Sequence, residues 1–202
     1  MAATVFIVDD DPAIRDALSL LIDLEGMAVR VFENAEAFLA ACQPEWRGCL
    51  VTDVRMPGMS GVELQAELTR RNVNLPLIFL TGYGDIPMSV KAIKAGAVDF
   101  LTKPVSATAL LESLQTALNE DEKRQMEAAA SQAATERLAS LTERERLVME
   151  QAIAGLSNKE IARQLDISHR TVEIHKSRVM HKTGAISIIE LARIAKAGGW
   201  QA

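Results

Sequence analysis

The sequence has few cysteines, few aromatic residues and no long apolar run. Its two cysteines, Cys42 and Cys49, are seven residues apart and form no C-x-x-C pair, which argues against a disulfide scaffold or a thiolate metal site. No apolar stretch approaches the ~18 residues that a transmembrane helix needs. Residues 1–8 lead into an acidic cluster without a basic segment, so no signal peptide is predicted. We therefore expect a cytoplasmic protein with reduced thiols.

Charge is distributed unevenly along the chain. Residues 1–120 contain 9 Lys and Arg against 16 Asp and Glu, whereas residues 138–202 contain 10 against 7. An acidic first part and a basic last part predict different partners for the two ends. The small basic excess indicates nucleic-acid binding only when a binding motif accompanies it.

The first 120 residues alternate short β-rich runs with helical patterns, which predicts an α/β domain with a five-stranded, doubly wound parallel sheet. Several of the strands are apolar throughout, as expected when both faces of a sheet are covered. The predicted strands are Thr4–Val8, Met27–Val31, Cys49–Thr52, Leu75–Leu80 and Val98–Leu101. The predicted helices are Pro12–Glu25, Ala35–Cys42, Gly61–Arg71 and Pro87–Ala95, with a fifth beginning near Ser106.

The rest of the chain is predicted to be helical. Residues 106–154 contain no Gly or Pro. Residues 119–140 are predicted to form either an extension of the fifth helix or a helix-prone tether, and we favour a partly helical linker whose rigidity the sequence does not settle. Three capping-box patterns begin at Thr142, Ser157 and Ser187, and Ser168 is a further N-cap candidate. They predict helices near 143–154, 158–165, 169–182 and 188–197, of which the second and third form a helix-turn-helix. The expected domains are therefore 1–118 and 141–202, with the linker between them.

Polar side chains follow four of the predicted strands. They are Asp9, Asp10 and Asp11 after the first, Asp53 after the third, Thr81 at the end of the fourth and Lys103 after the fifth. Ligands of parallel sheets bind at the carboxyl ends of the strands, so these groups are expected to converge. Clustered carboxylates favour a hard cation, Mg²⁺ above all. The alternative for any single Asp is a solvated turn residue or a helix cap.

The combination of Val8-Asp9-Asp10, Asp53-Val-Arg-Met-Pro-Gly58, Thr81-Gly82 and Lys103-Pro104 resembles the receiver domains of two-component response regulators. Arg15 fixes the register on Asp9 and Asp10 and leaves Asp11 as a bystander or helix cap. The resemblance implies that Asp53 accepts a phosphoryl group from a sensor histidine kinase. It also implies that Mg²⁺ (or Mn²⁺) is held by Asp9, Asp10, Asp53 and the backbone carbonyl of Arg55.

The same resemblance implies a switch. Thr81 and Lys103 would bind the phosphoryl group, the Lys103–Pro104 bond would be cis, and Phe100 would be the switch aromatic, with simple core packing as the alternative. The expected homodimer face comprises Met88–Ala95, Val98–Leu101 and Ala107–Leu118.

The segments from Leu141, Gly155 and Ser168 resemble the LuxR-type helix-turn-helix, and the pairing with a receiver resembles the NarL/FixJ family, nearest its FixJ and styrene-regulator branch. Promoter DNA and RNA polymerase are the implied partners. The helix after Ser168 would enter the major groove. By family position the base-reading candidates are Glu173, Ile174 and Ser177, and the phosphate candidates are Asn158, Lys159, Arg170, Lys176, Arg178 and Lys182. Thr171 and His175 fit either role, or capping and packing.

Two other classes of function deserve comparison with a transcription regulator. An aspartate-nucleophile phosphatase needs a second Asp two residues after the nucleophile, where this chain has Arg55, so no enzyme beyond self-phosphorylation and slow self-dephosphorylation is predicted. A regulator whose helical domain binds protein instead of DNA remains an alternative. The three histidines, His169, His175 and His181, do not share a helix face, so no metal site is predicted there. Phosphorylation of Asp53 is expected to promote dimerisation and promoter binding.

Overall fold

The computed structural model describes residues 3–82, 93 and 96–200. Its first part contains the predicted five-stranded parallel sheet, with the strand order β2-β1-β3-β4-β5. The strands are β1 (Thr4–Val8), β2 (Ala28–Phe32), β3 (Gly48–Asp53), β4 (Leu77–Thr81) and β5 (Asp99–Thr102). The predicted fold class is confirmed. Strand β4 begins two residues later than expected, at Leu77 instead of Leu75.

Helices cover both faces of this sheet. The helices are α1 (Pro12–Leu24), α2 (Ala35–Ala41), α3 (Gly61–Arg70) and α4 (Ala107–Ala139). On one face, Phe38 of α2 and Leu64 of α3 pack on Phe79. On the other face, Ile22 of α1 and Leu114 of α4 pack in a second buried cluster. Full burial of such a side chain contributes roughly 1.5–3 kcal/mol, so the two clusters hold the sheet between helical layers. Of the predicted helix Pro87–Ala95, only Ile93 is among the described residues, where it is helical, and the rest lies outside them.

The start of β3 is fixed by a buried acid on α4. Asp121 is 3% exposed, and its carboxylate accepts hydrogen bonds from the Gly48 amide at 3.1 Å and from Arg47 Nε at 3.0 Å. A Cβ at Gly48 would lie 1.9 Å from the carbonyl oxygen of Thr4, so this position requires glycine. Strand β3 is thereby held in register at the end opposite Asp53.

The helical segment after the sheet is one continuous helix, which agrees with the alternative of an extended fifth helix. Helix α4 continues for 33 residues to Ala139, so most of the expected linker is helical. The chain divides into two compact units, one up to Arg124 and one from Gln125 onward. Within the second unit, Ala134 and Leu138 are buried, and Ser131 Oγ donates to the carbonyl oxygen of Ala197 at 2.8 Å. The predicted domain bounds stay a prediction, but the last part of α4 packs with the second unit.

The second unit contains α5 (Glu143–Ile153), α6 (Asn158–Leu165), α7 (His169–Thr183) and α8 (Ile188–Ala197). The capping boxes at Thr142 and Ser157 are complete, and Ser168 caps α7 as expected. The third capping-box prediction is wrong in part. Ser187 accepts from the Glu190 amide, but the Glu190 carboxylate accepts from the Ile186 amide instead of the Ser187 amide.

The helix-turn-helix is formed by α6 and α7. Asp166 ends α6 in the left-handed conformation (φ 53°), which lets the chain turn within a few residues. Ile161 and Val172 are fully buried against Val148 of α5. In the described part of the chain, no helix is both long and apolar enough to cross a membrane.

Candidate metal centre and nucleic-acid interface

The carboxyl ends of the strands bring the predicted acidic and basic groups together. Lys103 follows β5, and its Nζ lies 2.6 Å from Asp9 Oδ2 and 2.5 Å from Asp53 Oδ2. Thr81 ends β4 beside them, and its carbonyl oxygen accepts from the Lys103 amide at 2.6 Å. Parallel pairing of β1, β3, β4 and β5 places all of these residues on one edge of the sheet. The convergence that the sequence predicts is therefore present.

Burial and the neighbouring charges shift the pKa values of Asp9 and Lys103 in opposite directions. Asp9 is 1% exposed, and burial raises the pKa of its carboxyl group although hydrogen bonds from Lys103 and from the Asp11 amide oppose the change. Burial lowers the pKa of Lys103, but hydrogen bonds to Asp53 and Asp9 outweigh it, so its pKa is raised. Lys103 is therefore an ammonium that partly neutralises both carboxylates.

Three carboxylates in this cluster fit a divalent cation. Asp9, Asp10 and Asp53 each offer an oxygen within 4.8 Å of the others, and within the described ranges they are the one group of this kind. The donor set is oxygen alone, and Asp10 is exposed, which leaves room for water ligands. The residues present therefore fit a hard cation such as Mg²⁺.

The loop after Asp53 is held by contacts that the sequence did not reveal. The Arg55 amide donates to Asp53 Oδ1 at 2.9 Å, and Glu36 of α2 accepts from the Met59 amide at 3.0 Å. A Cβ at Gly61 would lie 2.2 Å from the carbonyl oxygen of Asp53, so the first residue of α3 has to be glycine. Because Glu36 is 23 residues from Met59, no local pattern could have identified this contact.

The neighbouring residues occupy the predicted positions. Thr81 is buried, and Phe100 is half-buried with its ring centroid 6.0 Å from that of Phe79. The Lys103–Pro104 bond is cis, as expected. Asp11 caps α1 by accepting from the Ala13 amide at 2.8 Å, which agrees with the helix-cap alternative. Arg15, which the sequence used only to fix the register, donates to the Asp9 carbonyl oxygen at 2.7 Å.

In the second unit, α7 has one buried face and one polar face. Val172 and Val179 are buried, and Glu173, Ile174 and Ser177 are exposed, with Ile174 45% accessible. An isoleucine exposed on a polar helix face is available for an apolar contact such as the methyl group of thymine. The three base-reading candidates are therefore accessible to a ligand, and their contact with base edges stays a prediction.

The phosphate candidates fall into two groups. Lys159, Arg170 and Arg178 are exposed, whereas Lys176 Nζ donates to Asn158 Oδ1 at 2.9 Å between α7 and α6. Lys182 Nζ donates to Glu145 Oε2 at 2.6 Å and to the carbonyl oxygen of Ser140 at 3.0 Å.

The two residues with an open role differ from each other. Thr171 is part of the N-terminal cap of α7, since its amide donates to Ser168 Oγ at 3.1 Å. His175 is half-buried, and its Nδ1 is buried without a hydrogen-bond partner among the described residues. Thr171 is therefore explained by capping, and the partner of His175 stays open.

Two protein families match the chain. The family described as "Response regulator receiver domain" matches residues 5–115, and the family "Bacterial regulatory proteins, luxR family" matches residues 139–195. Together they cover the α/β unit and the helical unit that contains the helix-turn-helix.

Relatives share both regions in one chain. Transcriptional regulatory protein FixJ of Rhizobium meliloti (strain 1021) is 46% identical over 197 residues, which are 98% of this chain and 97% of the relative. Response regulator protein TodT of Pseudomonas putida is 41% identical over 195 residues, which are 96% of this chain and 86% of the relative. The solved structure of response regulator StyR has a TM-score of 0.86 at 41% identity and covers 97% of this chain and 99% of that one.

Proposed function

The chain belongs to the two-component response regulators that join a receiver domain to a LuxR-type DNA-binding domain, and we propose that it accepts a phosphoryl group on Asp53 from a sensor histidine kinase. The two families imply that the chain regulates transcription. Phosphorylation promotes dimerisation and sequence-specific binding to promoter DNA, with RNA polymerase as the downstream partner. The functional parts are the receiver (1–118), the helical linker (119–140) and the DNA-binding domain (141–202).

The observation that carries this proposal is the contact of one ammonium with two carboxylates at the sheet edge. Lys103 lies within hydrogen-bond distance of both Asp9 and Asp53. Asp53 is the partly exposed member of the acid pair, so an incoming phosphorus atom can approach it, whereas Asp9 is enclosed. This arrangement suits a nucleophile whose product carries more negative charge than the starting carboxylate.

The transfer uses Asp53 as the nucleophile. A carboxylate oxygen of Asp53 forms a bond to phosphorus while the bond from phosphorus to the kinase imidazole nitrogen breaks, and that nitrogen keeps the electron pair. Asp9, Asp10, Asp53 and the Arg55 carbonyl would hold Mg²⁺ or Mn²⁺, which would supply positive charge for the phosphoryl oxygens. Lys103 balances the remaining charge, and the Thr81 hydroxyl donates a hydrogen bond to the product. Beyond self-phosphorylation and slow self-dephosphorylation, we propose no catalysis by the chain.

The phosphoryl group adds roughly −1.5 to −2 charges to the edge of the sheet. Movement of Thr81 towards it opens space for the Phe100 ring, which packs at the border of the buried cluster that contains Phe79. The altered surface then pairs with a second copy through Val98–Leu101 and Ala107–Leu118. Of the third predicted part of this face, Met88–Ala95, only Ile93 is among the described residues.

In the DNA-binding domain, α7 enters the major groove. Glu173, Ile174 and Ser177 contact base edges, and the cations around them contact phosphates. The phosphate contacts proposed are Asn158, Lys159, Arg170, Lys176 and Arg178, with Thr171 and His175 at the margin of the interface. Lys182 does not belong to this set, because its ammonium is engaged within the domain.

Labelling with radioactive acetyl phosphate and Mg²⁺ tests the assignment of Asp53. Asp53→Asn removes the nucleophile while it keeps the side-chain shape, so labelling is expected to fall to background with the fold retained in circular dichroism. Asp11→Asn is the matched control: it is a neighbouring acid that caps α1, and asparagine also caps helices. The control should label like the wild type. Persistent labelling of Asp53→Asn would refute the proposed nucleophile.

A further inference from the structure

The ends of α4 and α7 each supply a cation to the other. Arg137, in the last turn of α4, donates from Nη1 to the carbonyl oxygen of Thr183, the last residue of α7, at 3.3 Å. In return, Lys182 in the last turn of α7 donates to the carbonyl oxygen of Ser140, directly after α4, at 3.0 Å. A Cβ at Gly184 would lie 3.9 Å from Arg137 Nη1, so the guanidinium lies over the turn that ends α7.

These contacts supply hydrogen-bond donors to carbonyl groups at helix C-termini. The last carbonyl groups of a helix have no partner within it, and they carry partial negative charge. A cation from outside the helix satisfies both the missing hydrogen bond and the charge. Here the two helix ends do this for each other, so neither end depends on solvent alone.

Lys182 has a second partner that is much less accessible. Its Nζ lies 2.6 Å from Oε2 of Glu145, a residue only 2% exposed at the start of α5. The same carboxylate oxygen accepts from the Thr142 amide at 2.9 Å and completes the N-terminal cap of α5. One ammonium therefore connects the end of α4, the start of α5 and the end of α7.

We infer that Lys182 is a positioning residue that holds the end of the recognition helix α7, that Arg137 supplies the return contact, and that Lys182 is not a phosphate ligand. Two of the three N–H groups of the ammonium are already donated to Ser140 and Glu145, so a phosphate would have to share the charge with Glu145. Any shift towards the phosphate would weaken the contact with a buried carboxylate that has no other cation within salt-bridge distance among the described residues. The segment 125–139 then belongs functionally to the DNA-binding unit, since it helps to set the position of α7. This inference rests on the proposed placement of α7 in the groove.

The salt dependence of DNA binding separates the two roles. The probes are a duplex that the wild-type chain selects from a random-sequence pool and sheared genomic DNA. The salt slope, meaning the magnitude of the fall of log K with log salt, decreases by about 0.9 when one phosphate contact is lost. Lys159→Met, at an exposed phosphate candidate, should show this decrease. Lys182→Met should keep the wild-type slope while its affinity for the selected duplex falls about tenfold.

Thermal unfolding of the full chain provides the second readout. Lys182→Met should lower the unfolding midpoint of the helical unit by about 5 °C or more, whereas Lys159→Met should leave it unchanged. Lys182→Arg should restore most of the midpoint and the affinity, since a guanidinium can also reach both acceptors. Arg137→Gln should lower the unfolding midpoint and the DNA affinity by smaller amounts than Lys182→Met does. In the double variant Arg137→Gln with Lys182→Met, the decrease in the unfolding midpoint should be smaller than the sum of the decreases in the two single variants, because the two contacts join the same helix ends.

A lower slope for Lys182→Met overturns the inference, whatever happens to the midpoint. If Lys182→Met does not fold, Arg137→Gln decides: an unchanged slope with a lower midpoint supports the inference, and a lower slope or an unchanged midpoint overturns it. Failure of the wild-type chain to bind DNA would refute the proposed function instead. In that case the unfolding midpoints of Arg137→Gln and Lys182→Met could still be compared with that of the wild type.

Discussion

Glu145 is a carboxylate that is almost completely buried and still ionised. Hydrogen bonds from Lys182 and from the Thr142 amide lower its pKa from 4.5 to about 2 in the folded chain. Between these values the unfolded chain binds the proton and the folded chain does not. The stability that this group contributes is therefore present above pH 4.5 and is lost as the pH falls towards 2.

Glu145→Gln should remove this pH dependence. The amide still accepts a hydrogen bond at the helix cap, but the charge that pairs with Lys182 is gone. We expect the free energy of unfolding of the helical unit to fall by about 2 kcal/mol at neutral pH, since Lys182 is one-third exposed and the pair is partly screened. Urea unfolding at a series of pH values between 7 and 2.5 measures this free energy, and Glu143→Gln, which changes an exposed acid of the same helix, is the control. Parallel pH curves for wild type and Glu145→Gln would contradict the assignment.

At the residue scale, the sequence could predict groups that follow strands and not groups that meet across the fold. Asp53 and Lys103 directly follow apolar runs, and parallel strands end at one edge, so their convergence was predictable. The contact of Glu36 with Met59 and that of Lys182 with Glu145 join residues 23 and 37 positions apart. Such pairs depend on how helices pack, and no spacing in a single sequence encodes that packing.

Helix α7 is the element on which the proposed DNA recognition depends. Glu173→Ala and Ser177→Ala should change the preferred sequence, because these side chains are exposed and are proposed to contact base edges. Arg178→Ala should weaken binding to all sequences alike and lower the salt slope by about 0.9. Selection from a random-sequence pool, followed by affinity measurements on the selected duplexes, checks both effects. An unchanged preference in both Glu173→Ala and Ser177→Ala would show that α7 is wrongly oriented in the proposal.

Elements with strong local signals were predicted closely, and elements with weak ones were not. The N-caps Ser157 and Ser168 mark the starts of α6 and α7, and both helices begin where these residues indicate. Residues 119–139 carry few large apolar side chains, so periodicity could not tell a continuous helix from a partly ordered linker. The helix is instead supported at Asp121 and Leu138, which are buried by residues distant in sequence.

At the scale of the whole molecule, phosphorylation is expected to change the oligomeric state. Acetyl phosphate with Mg²⁺ should shift the wild-type chain from monomer towards dimer, because the switch alters the surface around β5 and the start of α4. Light scattering coupled to size-exclusion chromatography measures the mass, and Asp53→Asn in the same buffer is the control. A labelled wild-type chain that stays monomeric, or an Asp53→Asn chain that dimerises equally, would contradict the proposal.

The close approach of Gly61 to Asp53 limits how this chain can diverge by point substitution. Exposed residues around the carboxylates can exchange size and charge, because solvent accommodates the difference. A single added carbon at position 61 would instead press on the backbone of Asp53, the proposed phosphoryl acceptor. Position 61 takes no part in the chemistry, yet substitution there is restricted as strongly as at the proposed nucleophile. The sequences that this site can accept therefore depend on a glycine without a side chain as well as on its acids.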